Sequence, residues 1–479
     1  MVRMQRETDE TALATTVEEP ASSGNRLDGA LAWIRSRQRQ LLPSQSLRAR
    51  FAHGTFWSVA GAATSRASLL GASVVCARLL GKTGFGQLAM IQSTAGMFGI
   101  LGGLGLGLTA TRYVAEWRQS DPVRAGRILA LSSLVALASG GLMTVLLVLS
   151  ASALAKSTLR APELGFPLAV GSGLVFLGVL NGAQNGALAG FEAFKPMARV
   201  NFWVGLCSLP LIAMGVEWGR LEGALCGFVV SLAVNCGLAH RALRQECAKA
   251  GVRCDFAGCG TEWRILYRFS LPAFLASLVV GPALWACNTL LVNQPNGYTE
   301  MGLYSAADKW RMLILFIPAS MFGMIVPMLS NLHGVGDLVA YRKVFRANLF
   351  VNLGLALAPA AVVAGLAAPL MSLYGGSFRS GWPVLLILSL AALPEALNTI
   401  LGHPLIVAGA MWWRFGFDAV LATTLLALAW WLVPRWGAAG LALSYALAFA
   451  TTSLGLFLFP LYRIRLKQQC IPVGRQSHP

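Results

Sequence analysis

Three charged residues interrupt apolar runs that carry no other charge: Arg66, Glu395 and Asp418. The planar fork of Arg66 suits a diphosphate or an acidic sugar. At helical spacing Arg66 shares one arc of about 100° with Thr55, Ser58, Ala62, Ser65, Ser73 and Cys76, opposite Phe56, Ala67, Leu70 and Val74. Pairing of Arg66 with a helix end or with Glu395 is the structural alternative. Glu395 follows Pro394 near the middle of its run and is a candidate carrier of a coupling proton, or else the partner of Arg66 or His403. Asp418 lies four residues after Arg414, the spacing of a helical ion pair. Asn181, Gln184 and Asn185 stand at i, i+3 and i+4. Amides on one helix face hydrogen-bond sugar hydroxyls in a cavity or hold helices together. Asn398 is the counterpart of Asn181 in the second half and carries the same two readings. Asp308, Lys309 and Arg311 lie at one end of an apolar run, where composition alone reads them as interfacial.

Nothing in the spacing points to catalysis, and no cofactor or metal is expected. No Ser/His/Asp set is present, and of the five histidines only His403 falls within an apolar run. Gly81-Lys82-Thr83 mimics the end of a phosphate-binding loop, but Cys76 stands where that loop needs glycine. Gly103, Gly105 and Gly107 lack the preceding strand and following acid of a dinucleotide site. Gly99, Gly103 and Gly107 repeat every four residues, the pattern of a smooth helix-packing groove. Cys247, Cys254 and Cys259 share one loop without a CxxC pair, which argues against zinc.

The elements that must carry these groups are set by composition. Of 479 residues, 56% are apolar and 12% charged, about half the charge of a soluble chain. Twelve apolar runs between Thr55 and Leu461 each approach the ~20 residues that cross a bilayer. The expected fold is an all-α polytopic membrane protein with twelve transmembrane helices. With both termini inside, cytoplasmic segments hold 28 of the 38 Lys and Arg and outer segments nine, a strong orienting bias. The net charge of +18 then faces anionic inner-leaflet lipids, and nucleic acid is not needed to explain it. Residues 1–53 form a cytoplasmic arm, in which Leu27, Leu31, Ile34 and Leu41 beside Arg35, Arg37 and Arg39 suit an amphipathic helix on the membrane. Residues 54–244 and 269–462 are two six-helix bundles, 245–268 a central cytoplasmic loop and 463–479 a cytoplasmic tail.

The bundles echo one another. Phe85-Gly86-Gln87-Leu88 matches Met301-Gly302-Leu303-Tyr304, Leu180-Asn181 matches Leu397-Asn398, and Arg220 with Gly223-Ala224 matches Arg435 with Gly437-Ala438. Each pair is six runs apart, so the repeat is parallel. Such halves are related by an axis along the membrane normal, and substrate binds between them.

The run Ala77-Arg78-Leu79-Leu80-Gly81-Lys82-Thr83-Gly84-Phe85-Gly86-Gln87-Leu88 resembles a motif of polysaccharide-exporting flippases. Gly102–Thr111 before Arg112-Tyr113-Val114-Ala115, and Gly302-Leu303-Tyr304-Ser305-Ala306-Ala307-Asp308-Lys309, resemble two further motifs of that family, part of the multidrug/oligosaccharidyl-lipid/polysaccharide superfamily. The resemblance runs from about Phe51 to Lys467. It implies an inner-membrane flippase that moves undecaprenyl-diphosphate-linked oligosaccharide outward for exopolysaccharide, O-antigen or capsule, with a polysaccharide polymerase and glycosyltransferases as partners. It places Lys309 at the cavity. A lipid II-type flippase or a cation-coupled multidrug antiporter shares the fold. Arg66 and Lys309 favour an anionic ligand over a drug cation. A membrane glycosyltransferase or polymerase would need paired acids and a larger soluble loop than Arg241–Ser270.

Overall fold

The computed structural model describes residues 47–256, 258–263, 270–316, 337–407 and 410–469, with isolated positions between 318 and 332. The amphipathic helix expected near Leu27–Leu41 lies outside the described residues. Among those described, every regular element is helical. The longer helices are α1 (Leu47–Gly103), α2 (Leu106–Trp117), α3 (Pro122–Ala153), α4 (Gly173–Gly190), α5 (Phe194–Lys249), α6 (Leu271–Val292), α7 (Gly297–Ile314), α8 (Leu338–Gly365), α9 (Trp382–Val407) and α10 (Met411–Gln469). Six helices are long and apolar enough to cross a membrane, or seven if the bent pair Thr64–Gly103 and Leu106–Trp117 is one span. In lipid a backbone must satisfy its own hydrogen bonds, which is why uncharged runs of this length are helical.

Three of these helices contain non-helical backbone: α1 at Gly81, α5 at Gly219 and Arg220, and α10 at Gly437. Arg220 (φ 47°, ψ −120°) and Gly437 (φ 52°, ψ −127°) adopt nearly the same conformation. Beyond each break the chain folds back on itself. Gly223 then packs on the carbonyl of Gly215, as Gly440 packs on that of Leu432. The two halves therefore repeat in backbone geometry here, but three residues away from the sequence echo: Arg220 corresponds to Gly437 and Gly223 to Gly440, not Gly223 to Gly437.

The first echo is matched by contact. Gly86 lies against the Tyr298 carbonyl and Gly302 against the Lys82 carbonyl, four residues earlier in each case. Thr83 Oγ1 and Thr299 Oγ1 are 3.0 Å apart beside them. Around this point one core draws on Cys76, Phe85, Met90 and Leu164 and equally on Leu291, Tyr304, Tyr374 and Leu385. A second core, with Ala110, Val114, Ala125, Ala239 and Val252, holds no residue beyond Val252 among the described residues. The two sequence halves thus share a core at the Gly86 end. A seam of antiparallel contacts also joins α1 and α2 to α6, through Ser93–Asn288 (2.9 Å), Thr94–Trp285 (3.1 Å) and Thr109–Ser270 (2.7 Å).

Two expectations are corrected. The groove does not run along Gly99, Gly103 and Gly107. Positive φ at Leu104 (45°) and Gly105 (67°) rotates the helical face, so Gly99 and Gly103 meet open space. Close packing falls instead on Gly102, against Val179 and Met143, and on Gly107, against Gly182 and Gly186. The segment after residue 244 is still helix, because α5 runs to Lys249 and buries Cys247 in the second core.

Candidate functional site

Arg66 on α1 is exposed, with its guanidinium carbon 6.0 Å from the centre of the Phe316 ring. Lys309 on α7 is half-buried, near enough to Arg66 for the two cations to repel. Neither makes an ion pair among the described residues. The structure therefore brings together two of the residues singled out from sequence, one from each half. Asp308, which Arg311 also holds, offsets part of the charge on Lys309, while Arg66 has no carboxylate partner among the described residues.

Glu395 is not paired to Arg66. Its partner is Arg311, which is 7% exposed and also bonds Asp308 Oδ1 at 2.7 Å and Tyr445 Oη at 2.9 Å. The Arg311 guanidinium stacks 4.6 Å from the Tyr445 ring centre. Arg311 is thus buried among acids and not interfacial, because α7 starts at Gly297 and carries it inward. Ser453 donates to the Pro394 carbonyl at 2.7 Å, anchoring the backbone next to Glu395.

A cavity of about 100 Å³ opens beside Glu395, lined by Asn348, Asn352, Thr399 and His403 among others. Asn352 Nδ2 donates to Asn348 Oδ1 at 2.6 Å, which leaves Asn348 Nδ2 and Asn352 Oδ1 buried and unsatisfied among the described residues. Sequence reading missed this pair. Asn348 and Asn352 repeat the i, i+4 spacing of Asn181 and Asn185, and that was the available signal. Arg414 and Asp418 form the expected pair at 2.8 Å, and Arg414 also reaches Asn398 Oδ1 at 3.4 Å. Asn398 is consequently buried against α10.

Asn185 donates to Asn181 Oδ1 at 2.7 Å, Asn181 lies beside the Cys236 thiol, and Gln184 Oε1 is buried without a hydrogen-bond partner among the described residues. Asn181 and Gln184 sit inside the first half, and no described contact joins them to Arg66 or Lys309. No group of three metal-ligating side chains exists among the described residues.

A curated relative, the EPS I polysaccharide export inner membrane protein EpsE of Ralstonia nicotianae, is 24% identical over 86% of this chain and 93% of its own. A protein of the same name from Ralstonia solanacearum is 25% identical over 67% of this chain and 72% of its own. Among solved structures, an inward-facing multidrug resistance MATE family transporter of the MOP superfamily superimposes with a TM-score of 0.73. It is 15% identical and matches 85% of this chain and 96% of its own. An outward-facing one gives 0.65 at 16% identity, over 87% and 95%. The fold is therefore that of MOP superfamily transporters. The family model described as "Polysaccharide biosynthesis protein" matches residues 51–333, well over half of the sequence. The chain belongs to that family.

Proposed function

We propose that this protein is an inner-membrane flippase. It carries undecaprenyl-diphosphate-linked oligosaccharide units outward for polysaccharide export, and it is not an enzyme. Twelve transmembrane helices form two six-helix bundles, with α1, α5 and α10 each counted as two spans that meet at their breaks. Both termini are cytoplasmic, and the basic inner face meets anionic lipids. A polysaccharide polymerase and glycosyltransferases act on either side of the transport step.

The observation that carries the reading is the approach of Lys309 to Arg66 from the two halves, with Asp308 offsetting part of the Lys309 charge and no carboxylate paired with Arg66 among the described residues. The diphosphate is the element common to all such carriers, whereas the sugars vary. A cationic seam lowers the cost of moving that head group past apolar walls. The shared core at the Gly86 end supports a state closed on the outside. Asn181, Gln184, Asn185 and Asn398 are secondary candidates for sugar contact, and Glu395 for proton coupling.

Translocation of diphosphate lipids bearing short or long glycans in liposomes tests the seam. Arg66→Lys retains part of the activity and Arg66→Glu none. Lys309→Arg is tolerated and Lys309→Glu fails. If both Glu variants translocate like the parent, the cationic seam is wrong.

A further inference from the structure

Two amides on α8 line the cavity beside Glu395 with hydrogen-bonding capacity left over. Asn348 and Asn352 stand one helical turn apart and are 4% and 2% exposed. Asn352 Nδ2 uses both of its protons on Asn348, one on the backbone carbonyl at 3.0 Å and one on Oδ1 at 2.6 Å. These bonds fix how the amides are turned. Reversing Asn352 would set oxygen against oxygen, and reversing Asn348 would set N–H against N–H. What remains is one donor, Asn348 Nδ2, and one acceptor, Asn352 Oδ1, both buried and without a partner among the described residues. Leaving such atoms unpaired is costly. A cation satisfies only the oxygen and an anion only the N–H. A hydroxyl accepts from one and donates to the other.

The rest of the cavity decides what carries that hydroxyl. Leu315 and Ile400 supply apolar wall, while Glu395 and Thr399 bring a carboxylate and a hydroxyl from one face of α9. Thr399 and Ala319 are exposed and mark the mouth. The volume of about 100 Å³ holds about three water molecules. That is too little for a whole sugar ring and enough for a CH2OH arm.

We propose that this cavity is a subsite for the hydroxymethyl group of a hexose, whose oxygen accepts from Asn348 Nδ2 and whose proton goes to Asn352 Oδ1. The inference rests on the reading of the substrate as a lipid-linked oligosaccharide and names the sugar group that the second half selects. The CH2 lies on the apolar wall and the hydroxyl on the amides. A 6-deoxyhexose brings a methyl group to the same place. It displaces the water that pairs the amides and returns neither bond, so the site discriminates against it. The site reads the arm and not the ring, so hexoses that share the hydroxymethyl group are alternatives.

The test measures binding apart from transport. Full-length protein in nanodiscs is titrated with the methyl glycosides of glucose, galactose and mannose and with their 6-deoxy counterparts. Saturation-transfer NMR reads which sugar protons touch the protein, and empty nanodiscs give the background. At least one hexoside should show its strongest transfer at the C6 protons, and its 6-deoxy counterpart should bind roughly tenfold or more weakly. In Asn348→Leu with Asn352→Leu both partners become apolar together, a change that leaves no amide unpaired, and the difference should vanish. Transfer to none of the hexosides would leave water as the occupant and overturn the proposal. Equal binding of the 6-deoxy sugars, or discrimination that persists in the double variant, overturns it as well. The parent protein decides the first two points even if the double variant fails to fold. Translocation of lipid-linked glycan in proteoliposomes is scored separately. Hexosides that bind as expected to a protein that moves no lipid-linked glycan would sink the flippase reading and leave the subsite standing.

Discussion

Gly86 and Gly302 pack in reciprocal contact: each sits on the carbonyl four residues before the other, at Tyr298 and Lys82. Two segments can touch in this mutual way only about a local two-fold axis. Thr83 and Thr299, each three residues earlier, face one another across the same axis. Flanking bonds follow the same exchange. Arg78 Nε donates to the Leu373 carbonyl at 2.7 Å, and Tyr298 Oη donates to the Leu159 carbonyl at 2.9 Å. At its centre the contact is backbone on backbone, so it depends on the absence of side chains at two positions.

Cross-linking follows directly. In a variant without other cysteines, Thr83→Cys with Thr299→Cys forms a disulfide spontaneously, since the present hydroxyl oxygens are 3.0 Å apart. Export stops while the bond is intact and returns with reductant. Non-reducing gel mobility after proteolysis between the halves reports the bond. Full export with the disulfide present would show that this end never opens.

A methyl group at the axis acts in the opposite direction. Gly302→Ala places a Cβ against the Lys82 carbonyl and within 3.4 Å of Gly86 N. Overpacking costs about 1–3 kcal/mol, so the closed arrangement loses roughly fivefold or more in population. The Thr83→Cys/Thr299→Cys disulfide should form at least that much more slowly in the Gly302→Ala background, with normal protein in the membrane. An unchanged cross-linking rate would remove Gly302 from the contact.

The Gly86–Gly302 echo was legible because it rests on glycines, and a glycine at a required close approach is visible in sequence. Arg66 stands out in sequence because it is the lone charge in an apolar run, and the fold removes Glu395 as its partner. Arg311 was not. It stands beside Asp308 and Lys309 at the margin of an apolar run, and nothing local says that the helix begins at Gly297 and carries it into the core. Glu395 stands out in sequence as an isolated acid, but its partner Arg311 lies 84 residues away and comes only from the fold. The Gly99–Gly103–Gly107 stripe misled because a single backbone break at Gly105 changes which residues share a face.

The segment that follows α5 forms a strap over α3 that rests on charge and is tested by exchange. Arg124 holds Glu262 through two bonds of 3.0 and 3.2 Å and stacks 4.1 Å from the Trp117 ring centre. Arg124→Glu sets two carboxylates together and exposes the segment around Cys254 to trypsin at Arg253. Arg124→Glu with Glu262→Arg restores protection, because sign matters more than position here. The pair is partly exposed, so its removal costs only about 1 kcal/mol or less. Limited proteolysis of membranes reads the difference, and equal cleavage of single and double variants would dismiss the strap.

Orientation is tested at Ser377. Ser377 is exposed, whereas nearby Gly375 has a φ of 129° that strains any side chain placed there. In a variant without other cysteines, Ser377→Cys is labelled by an impermeant maleimide from outside. Labelling only after the membrane is opened would invert the topology.

Arg311 and Glu395 separate structure from coupling. Arg311 holds two carboxylates and a tyrosine hydroxyl with one guanidinium, so Arg311→Ala leaves Asp308 and Glu395 facing each other without a cation. Removing one partner of such a buried pair costs about 3–5 kcal/mol, and the variant should fall to a small fraction of the parental amount in the membrane. Arg311→Lys keeps the charge but loses the fork that spans Asp308 and Glu395, so it recovers only part of that amount. Glu395→Gln behaves differently. It retains an acceptor for Arg311 and leaves Asp308 to balance the charge, so the protein accumulates normally. It cannot release a proton into the adjoining cavity at Asn348 and Asn352. Proton-driven export should therefore be lost in Glu395→Gln, while exchange of substrate down its own gradient continues. Measuring both in proteoliposomes, with and without an imposed pH gradient, resolves the two roles. Parental export that still responds to the gradient in Glu395→Gln would make Glu395 a purely structural partner of Arg311.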